Sequence, residues 1–371
     1  MIYLCVFLLS LGFTFTAQHF LIPTEHTHAL VKQSGGYIFR RDVFCGAIWF
    51  LIALMPLFLT AALRKGIGTD YYFTYTPRFL EILAGERTYY EIGFYLFNRI
   101  LGMFTSNPQW VFVTTSGIFF LFVGLAFYKT QKDLTFCVLI LIVSGEYFIS
   151  LNNLRQALAS SLILFGYVYI RDKKWISFAV VCAVASTLHK SMIVFFAMLI
   201  VFYALEYISI EKFVIIMTIA VGVFFLLIKV FPSVLVAVLP ERLAYYIEYS
   251  IFNEATIGTL RMLENIAIFA FLLYTREKTG EKKLDCFVAI QFFAVAICLF
   301  DSVVPAAYRL MRLFSFWQLL SIPTAAQCHN YKNDRLTVKI LLALFYGVIC
   351  FYSIVILGDE EVIPYRSIFN G

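Results

Sequence analysis

The segment WVFVTTSGIFFLFVGLAFY, residues 110–128, contains no charged side chain. As an α-helix it would be about 28 Å long, close to the roughly 30 Å hydrocarbon core of a bilayer. Similar runs recur along the whole 371-residue chain, in which 61% of the residues are hydrophobic and 14% are charged. A soluble domain of this size cannot bury so much apolar surface. The sequence therefore predicts a protein that crosses the membrane several times.

The apolar runs predict helices rather than the strands of a barrel, because barrel strands would alternate apolar and polar residues and these runs do not. The mean hydropathy of +0.84 fits that interpretation. We predict an all-α polytopic integral membrane protein that forms a single transmembrane domain over residues 1–371, with about twelve transmembrane helices. The expected spans are residues 2–22, 43–63, 110–128, 134–150, 154–170, 175–189, 191–208, 213–231, 260–275, 285–301, 308–325 and 336–357.

Short basic loops alternate along the chain and set the predicted topology. They contain Lys32, Arg40, Arg41, Lys129, Lys132, Arg171, Lys173, Lys174, Lys212, Arg276, Lys278, Lys282, Lys283, Lys332 and Arg335. The positive-inside rule assigns these loops to the cytoplasm. Both termini are then expected outside, together with two long outer loops, residues 64–109 and 232–259. Loops of this length usually carry function.

Composition and motifs argue against several other classes of protein. The net charge of +6 is spread along the chain rather than gathered into a nucleic-acid-binding patch. The eight cysteines form no CxxC pair and fit small core residues. No Walker A loop, Rossmann glycine pattern or HExxH helix is present. The irregular spacing of His19, Glu25, His26 and His28 favours a solvated loop, and no metal site is expected.

Arginines on the predicted outer side point to an anion. Arg155 lies in SLNNLRQALASSL, residues 150–162, with no carboxylate near it in the sequence. A guanidinium binds phosphate or carboxylate through two donors, and the start of a helix also attracts anions. Asn153 is the expected N-cap of that helix. The alternative is that Arg155 extends along the helix to reach water.

A second pair of arginines, Arg309 and Arg312, is predicted one helical turn apart on the same face. Such a pair can hold a diphosphate between two planar donor groups. The alternative is a structural ion pair between Asp301 and Arg309.

The first outer loop contains candidate sugar-binding groups. RKGIGTDYYFTYTPRF, residues 64–79, combines Asp70 with Tyr72 and Tyr75, and aromatic rings beside a carboxylate often hold a sugar. The alternative is an interfacial aromatic belt with Asp70 capping a short helix. Glu91 is expected to begin an amphipathic helix within residues 86–100 and is a candidate partner for an arginine.

His189 ends a predicted span in STLHKSMIVFF, residues 186–196. A histidine can be neutral near pH 7 and can accept a proton from a hydroxyl. The alternative is a polar residue in a turn.

Six motifs in order, IGTDYY, LRQALA, LHKS, a Tyr-rich late loop, YRLMRLF and PYRSIF, resemble the EpsG group of Wzy-type bacterial polysaccharide polymerases over most of the chain. The resemblance implies a GT-C-like membrane glycosyltransferase of O-antigen, capsule or exopolysaccharide biosynthesis. It would join repeat units on the outer (periplasmic or exterior) face of the inner membrane. Donor and acceptor would be undecaprenyl-diphosphate-linked oligosaccharides. The resemblance also implies no dissociable cofactor and no nucleic acid, with membrane lipids and a chain-length regulator as candidate partners.

Within that chemistry the singled-out residues take expected roles. Diphosphate binding falls to Arg155, Arg309 and Arg312, the base to His189 or Asp70, and sugar binding to Tyr72, Tyr75, Glu91 and Asn153. The alternative function is a flippase for the same lipid-linked oligosaccharide. A transporter usually shows repeated halves with charges near mid-membrane. Here no internal repeat is evident and the charges cluster at one face, which favours the polymerase.

Overall fold

The computed structural model describes residues 2–23, 30–33, 36–39, 41–86, 88–230, 257–301, 304, 307–329 and 331–369. Glu25, His26 and His28 lie outside these ranges, and the predicted outer loop 232–259 is described only from Ile257 onward. The chain packs as two compact units, one formed by residues 1–195 with 331–371 and the other by residues 196–330.

Nearly all regular structure is helical, in order along the chain. The first unit contains α1 (Ile2–Thr16, continued by a π-helical turn Ala17–Leu21), α2 (Arg41–Ala53), α3 (Met55–Ala62), a π-helical turn Tyr71–Tyr75, α4 (Thr76–Leu83), α5 (Ile92–Gly102), α6 (Gln109–Thr130), α7 (Leu134–Val143), α8 (Glu146–Asn152), α9 (Leu154–Arg171), α10 (Trp175–Leu188) and a 3-10 turn Lys190–Ile193. A short hairpin pairs β1 (Leu30–Gln33) with β2 (Gly36–Phe39) in antiparallel register, Leu30 opposite Phe39.

The remaining helices complete both units. They are α11 (Val194–Ala204), α12 (Ile210–Val230), α13 (Thr259–Thr279), a 3-10 turn Lys282–Leu284, α14 (Asp285–Leu299), α15 (Ala307–Ser315), α16 (Gln318–Gln327), α17 (Lys332–Cys350), a π-helical turn Phe351–Ile356 and a 3-10 turn Asp359–Glu361.

Four helical segments are long and apolar enough to cross a bilayer: Ile2–Leu21, Gln109–Thr130, Ile210–Leu227 and Lys332–Ile356. Two bent pairs, α2 with α3 and α7 with α8, each add one more if the pair is a broken span. The all-α membrane class is thus confirmed, with four to six candidate spans among the described residues. The count of about twelve and the GT-C-like architecture stay predictions. Some predicted spans fall on helices too short for the test, including Trp175–Leu188 and Lys190–Ala204.

The predicted span 134–150 is not one straight helix. α7 and α8 meet at an angle of 59°, and Gly145 between them adopts a left-handed conformation with φ of 84°. Glycine takes this conformation without the steric cost that a Cβ brings. The correction has a simple cause: hydropathy shows that the stretch is apolar, but one glycine with positive φ redirects the chain.

Segments assigned to the outer side meet at one end of the first unit. The backbone N–H of Lys65 donates to Arg366 O at 3.0 Å and that of Ile368 donates to Leu63 O at 3.0 Å. Tyr3 Oη donates to Val362 O at 3.0 Å. The start, the first long loop and the last residues of the chain are therefore neighbours, as the predicted topology requires of segments on one side.

An aromatic core fixes the first long loop on α6. The rings of Tyr71 and Phe112 stack with centroids 4.1 Å apart and an interplanar angle of 11°. Tyr75 packs edge-on against Phe94 and Phe112, and Phe79 is fully buried in the same cluster. Burial of such rings is worth about 1.5–3 kcal/mol each, so the loop is an ordered part of the unit.

Replacing Gly145 by alanine should destabilise the protein, since a Cβ in the left-handed region costs about 1–2 kcal/mol. The measurement is the melting temperature in detergent. The matched control is Gly347→Ala in α17, where nothing lies within 4 Å of the added Cβ, and it should be neutral or stabilising. A Gly145→Ala protein that melts with the wild type would contradict the account of the bend.

Candidate active site

Arg155 lies at a break between helices and meets a carboxylate that is distant in sequence. α8 ends at Asn152 and α9 begins at Leu154, which places Arg155 in the first turn of α9. Its Nη1 donates to Glu91 Oε2 at 2.6 Å, across 64 residues of sequence. The guanidinium also lies over the Tyr90 ring, 4.9 Å from its centroid. Arg155 does not extend to water, because its side chain is only 22% exposed.

The same carboxylate reaches the turn that carries His189. α10 ends at Leu188, and His189 follows in an extended conformation. Its Nδ1 lies 3.9 Å from Glu91 Oε1, and the backbone N–H of Lys190 donates to that oxygen at 3.3 Å. Glu91 therefore stands between Arg155 and His189, which makes it an arginine partner as predicted.

Close packing of α5 on α10 produces this arrangement. A Cβ on Gly93 would lie 2.3 Å from Thr187 Oγ1, so only glycine allows the two helices to approach this closely. Glu91 occupies the N-cap position of α5 without a side-chain cap bond, which leaves its carboxylate for the other helices. The predicted helix start is confirmed: Glu91 is the N-cap residue and α5 begins at Ile92.

Two opposing effects act on the pKa of Glu91. Burial disfavours the charged form and would raise the pKa, but the Arg155 guanidinium and hydrogen bonds from backbone N–H groups outweigh burial. The net result is a pKa below the usual range. Glu91 is therefore a carboxylate near neutral pH and can serve as an electrostatic partner rather than as an acid.

Asp70 belongs to a neighbouring cluster built around Asn152. The backbone N–H of Asp70 donates to Asn152 Oδ1 at 3.0 Å, and Thr74 Oγ1 donates to Asp70 Oδ1 at 2.9 Å. Asn152 Nδ2 in turn donates to Glu360 Oε2 at 2.7 Å. Gly68, with φ of 82°, approaches Asn152 so closely that a Cβ would lie 2.9 Å from Oδ1.

Glu360 was not singled out from the sequence. The available signal was the acidic run Asp359–Glu361 close to the end of an apolar chain.

The expectation for Asn153 is corrected in part: it occupies the N-cap position of α9, but its side chain makes no cap bond. Its Nδ2 lies 3.5 Å from Glu360 Oε2 instead.

The two tyrosines proposed for sugar binding differ in accessibility. Tyr72 is 56% exposed, whereas Tyr75 is 4% exposed. The Tyr75 hydroxyl accepts the backbone N–H of Arg155 at 3.4 Å, so this ring supports the start of α9 from within the core. Burial raises the pKa of Tyr75 to about 12, and the hydroxyl stays protonated at neutral pH. Sugar binding by either ring stays a prediction.

Arg64 is a fully buried arginine whose role could not be predicted from its position at the end of a span. Nη1 donates to Ala61 O and, at 3.3 Å, to Ser116 Oγ. Nη2 donates to Leu151 O at 2.9 Å. These carbonyls lie at the C-terminal ends of α3 and α8, where helices leave acceptors unpaired. Arg64 thus ties together the two broken helix pairs, α2–α3 and α7–α8.

Arg309 and Arg312 lie in the second unit, on α15. Both guanidinium groups lie near the Tyr308 ring, at 5.6 and 5.8 Å from its centroid, and Arg309 Nε donates to Tyr308 Oη at 2.9 Å. Asp301 accepts the backbone N–H of Ile257 at 2.9 and 3.0 Å. Since Arg155 belongs to the first unit, its meeting with Arg309 in one pocket stays a prediction.

No three His, Cys, Asp or Glu side chains of the described residues are placed to hold a metal ion.

Comparison with known families decides the class of this protein. The model of the EpsG family matches residues 47–367. The chain belongs to the EpsG family. No curated protein and no solved structure gives a match. Membership of the EpsG family indicates a membrane protein of the polysaccharide-polymerase type with glycosyltransferase-like activity. The matched range contains Asp70, Glu91, Arg155 and His189.

The lowered pKa of Glu91 predicts a pH-dependent contribution to stability. Because the folded pKa lies below the unfolded value of about 4.3, the contribution is complete at neutral pH and is lost as pH falls through the folded pKa. Melting temperatures of the wild type and of Glu91→Gln should therefore differ most near pH 7 and converge in acid. A difference independent of pH would mean that Glu91 stabilises the fold without its charge.

Proposed function

We propose that this protein is a polysaccharide repeat-unit polymerase. It is a glycosyltransferase that joins undecaprenyl-diphosphate-linked oligosaccharides on the outer face of the bacterial inner membrane. Membership of the EpsG family supports the reaction class. The observation that carries the proposal is the placement of Arg155 and His189 around the carboxylate of Glu91. That arrangement offers an anion-binding donor and a proton acceptor on adjacent helices.

The reaction is a glycosyl transfer between two lipid-linked saccharides. A hydroxyl of the acceptor attacks the anomeric carbon of the donor sugar and forms the new glycosidic C–O bond. The bond from that carbon to the phosphate oxygen breaks, and its electron pair leaves with undecaprenyl diphosphate. The hydroxyl proton passes to a protein base and then to water.

Arginine suits the leaving group. Negative charge grows on the bridging phosphate oxygen as the bond breaks, so a fixed guanidinium stabilises the transition state more than the ground state. Tyr90 and Glu91 position Arg155 for this role, and Arg309 and Arg312 on α15 are the further candidate donors. Four groups are expected to hold sugars: Tyr72, Tyr75, Glu91 and Asn153. Of the two tyrosines, Tyr72 has the more exposed ring, and Asp70 stays the alternative base.

An apolar cavity in the first unit is a candidate binding surface for the polyprenyl tail of the substrate. An apolar cavity of about 620 Å³ lies between α1 and the α2–α3 pair, lined by residues including Leu9, Phe13, Trp49 and Pro56. Thr60 lies on its wall, one helical turn before Arg64. A polyprenyl chain in this cavity would enter the unit near the end where Arg155 lies.

Arg155→Ala and Arg309→Ala should each abolish long glycan chains, with a loss in rate of about 100-fold or more, because a transition-state donor of this kind contributes roughly 2.7–4 kcal/mol. The measurement is a gel ladder made by the purified protein from lipid-linked repeat units. Arg155→Lys should recover part of the activity, since it restores the charge but not the planar fork.

Arg99→Ala is the matched control. Arg99 is an exposed arginine of α5, in the first long loop, and its described side-chain hydrogen bond is to Tyr95 Oη at 3.3 Å. It should make a normal ladder. Full-length chains from either alanine variant at Arg155 or Arg309 would remove the diphosphate role. A wild-type protein that makes no ladder but moves the lipid-linked unit across vesicles would favour the flippase.

His189→Ala should lower kcat while leaving the KM for the donor unchanged, since a base acts on the acceptor hydroxyl and not on the diphosphate. Asp70→Asn should lower kcat by a smaller factor than His189→Ala does. His19→Ala is the control, because the described contacts of the His19 ring are with Phe15 of its own helical segment. The reverse ranking, with Asp70→Asn the more damaging change, would transfer the base role to Asp70.

A further inference from the structure

The Glu91 carboxylate lies between two groups to which the proposed function gives separate tasks. Oε2 accepts from Arg155 Nη1 at 2.6 Å, and Oε1 lies 3.9 Å from His189 Nδ1. An arginine bound to a carboxylate must release it, wholly or in part, to bind a diphosphate. A histidine base also works best when a carboxylate accepts the proton on its other nitrogen.

We propose that Glu91 exchanges partners: it pairs with Arg155 in the substrate-free protein and with His189 once the diphosphate of the substrate occupies Arg155. This role rests on the proposed function. It makes Glu91 the positioning residue that prepares His189 only when a donor is bound.

Arg155 is prepared for such an exchange. Its bond to Glu91 uses Nη1, and its buried Nε has no hydrogen-bond partner in the described structure. A diphosphate offers several oxygens and a larger negative charge than one carboxylate, so it can fill the planar fork that Glu91 leaves partly unused. Direct competition for Arg155 therefore favours the diphosphate.

His189 lies close enough to Glu91 to accept it as a new hydrogen-bond partner. A movement of about 1 Å would bring Glu91 Oε1 within hydrogen-bond distance of Nδ1. A proton held on Nδ1 by Glu91 leaves Nε2 as the acceptor for the hydroxyl proton. Both ring nitrogens are shielded from solvent before the exchange. Because Lys190 N–H is bound to the same carboxylate oxygen, movement of Glu91 also affects the turn that follows His189.

The charges around His189 determine the expected effect. Glu91 faces it from the start of α5, and Lys190 is its neighbour in the chain. Arg155, at the start of α9, pairs with the same carboxylate. In the substrate-free protein Arg155 neutralises Glu91. With a diphosphate on Arg155, the charge of Glu91 acts on the imidazole and favours its protonated form.

The test uses the full-length protein with isotope-labelled histidine and inorganic pyrophosphate as the probe. The chain has five histidines, and the His189 NMR signal is assigned by its loss in His189→Gln. Calorimetry measures pyrophosphate binding to the wild type, to Glu91→Gln and to the control Glu81→Gln. The control removes a carboxylate of the same loop that pairs with Arg78 at 2.6 Å.

We expect pyrophosphate to raise the titration midpoint of His189 by about one pH unit more in the wild type than in Glu91→Gln, because only the wild type has a carboxylate to transfer. Glu91→Gln should bind pyrophosphate about threefold to tenfold more tightly, since it has no internal competitor. Glu81→Gln should match the wild type in both measurements.

Two results would overturn the exchange, and they are distinguishable. Equal affinity and equal His189 midpoints in pyrophosphate-saturated wild type and Glu91→Gln would refute the exchange and leave the diphosphate site intact. Failure of the folded wild type to bind pyrophosphate would remove the diphosphate site and the exchange together. If Glu91→Gln does not fold, the test uses the wild type alone. A titration midpoint of the His189 signal that saturating pyrophosphate leaves unchanged would then contradict the proposal.

Discussion

The unpaired carbonyl ends of broken helices are the constraint on which the first unit depends. A membrane offers no water to these groups, so each must find a donor inside the protein. Arg64 supplies donors to Ala61 O and Leu151 O at once. It thereby stabilises the break after α8, and the break places Arg155 in the first turn of a new helix.

From that break the chemistry of the site follows by electrostatics. Arg155 cannot stay buried without a counter-charge, and Glu91 provides one from the first long loop. The same carboxylate contacts the turn after α10 through Lys190. One carboxylate therefore contacts three segments of the chain, and under the proposed exchange an anion that competes for Arg155 would change the surroundings of His189. This coupling separates His189 from Asp70, whose partners are Thr74 and Asn152.

The sequence singled out most residues of the candidate site, but it did not predict the hydrogen bonds and ion pairs between them. Arg155, Glu91, His189 and Asp70 were visible as polar residues in an apolar chain, and hydropathy predicted the all-α membrane class. Glu360 gave only a weak signal because its partner Asn152 is more than two hundred positions away. Tyr75 looked like a sugar platform, since an aromatic pattern does not tell a buried ring from an exposed one.

The sequence by itself determined that this chain is a helical membrane protein, because burial of long apolar runs is a property of composition and length. It also determined which residues carry charge, because only 14% of the residues in this apolar chain do. Only the tertiary structure decided that Glu91, and not an adjacent residue, neutralises Arg155, that Gly145 bends a predicted straight span, and that Arg64 joins two helix ends. Those outcomes depend on distances between segments far apart in the chain, and such distances are set by packing rather than by local pattern.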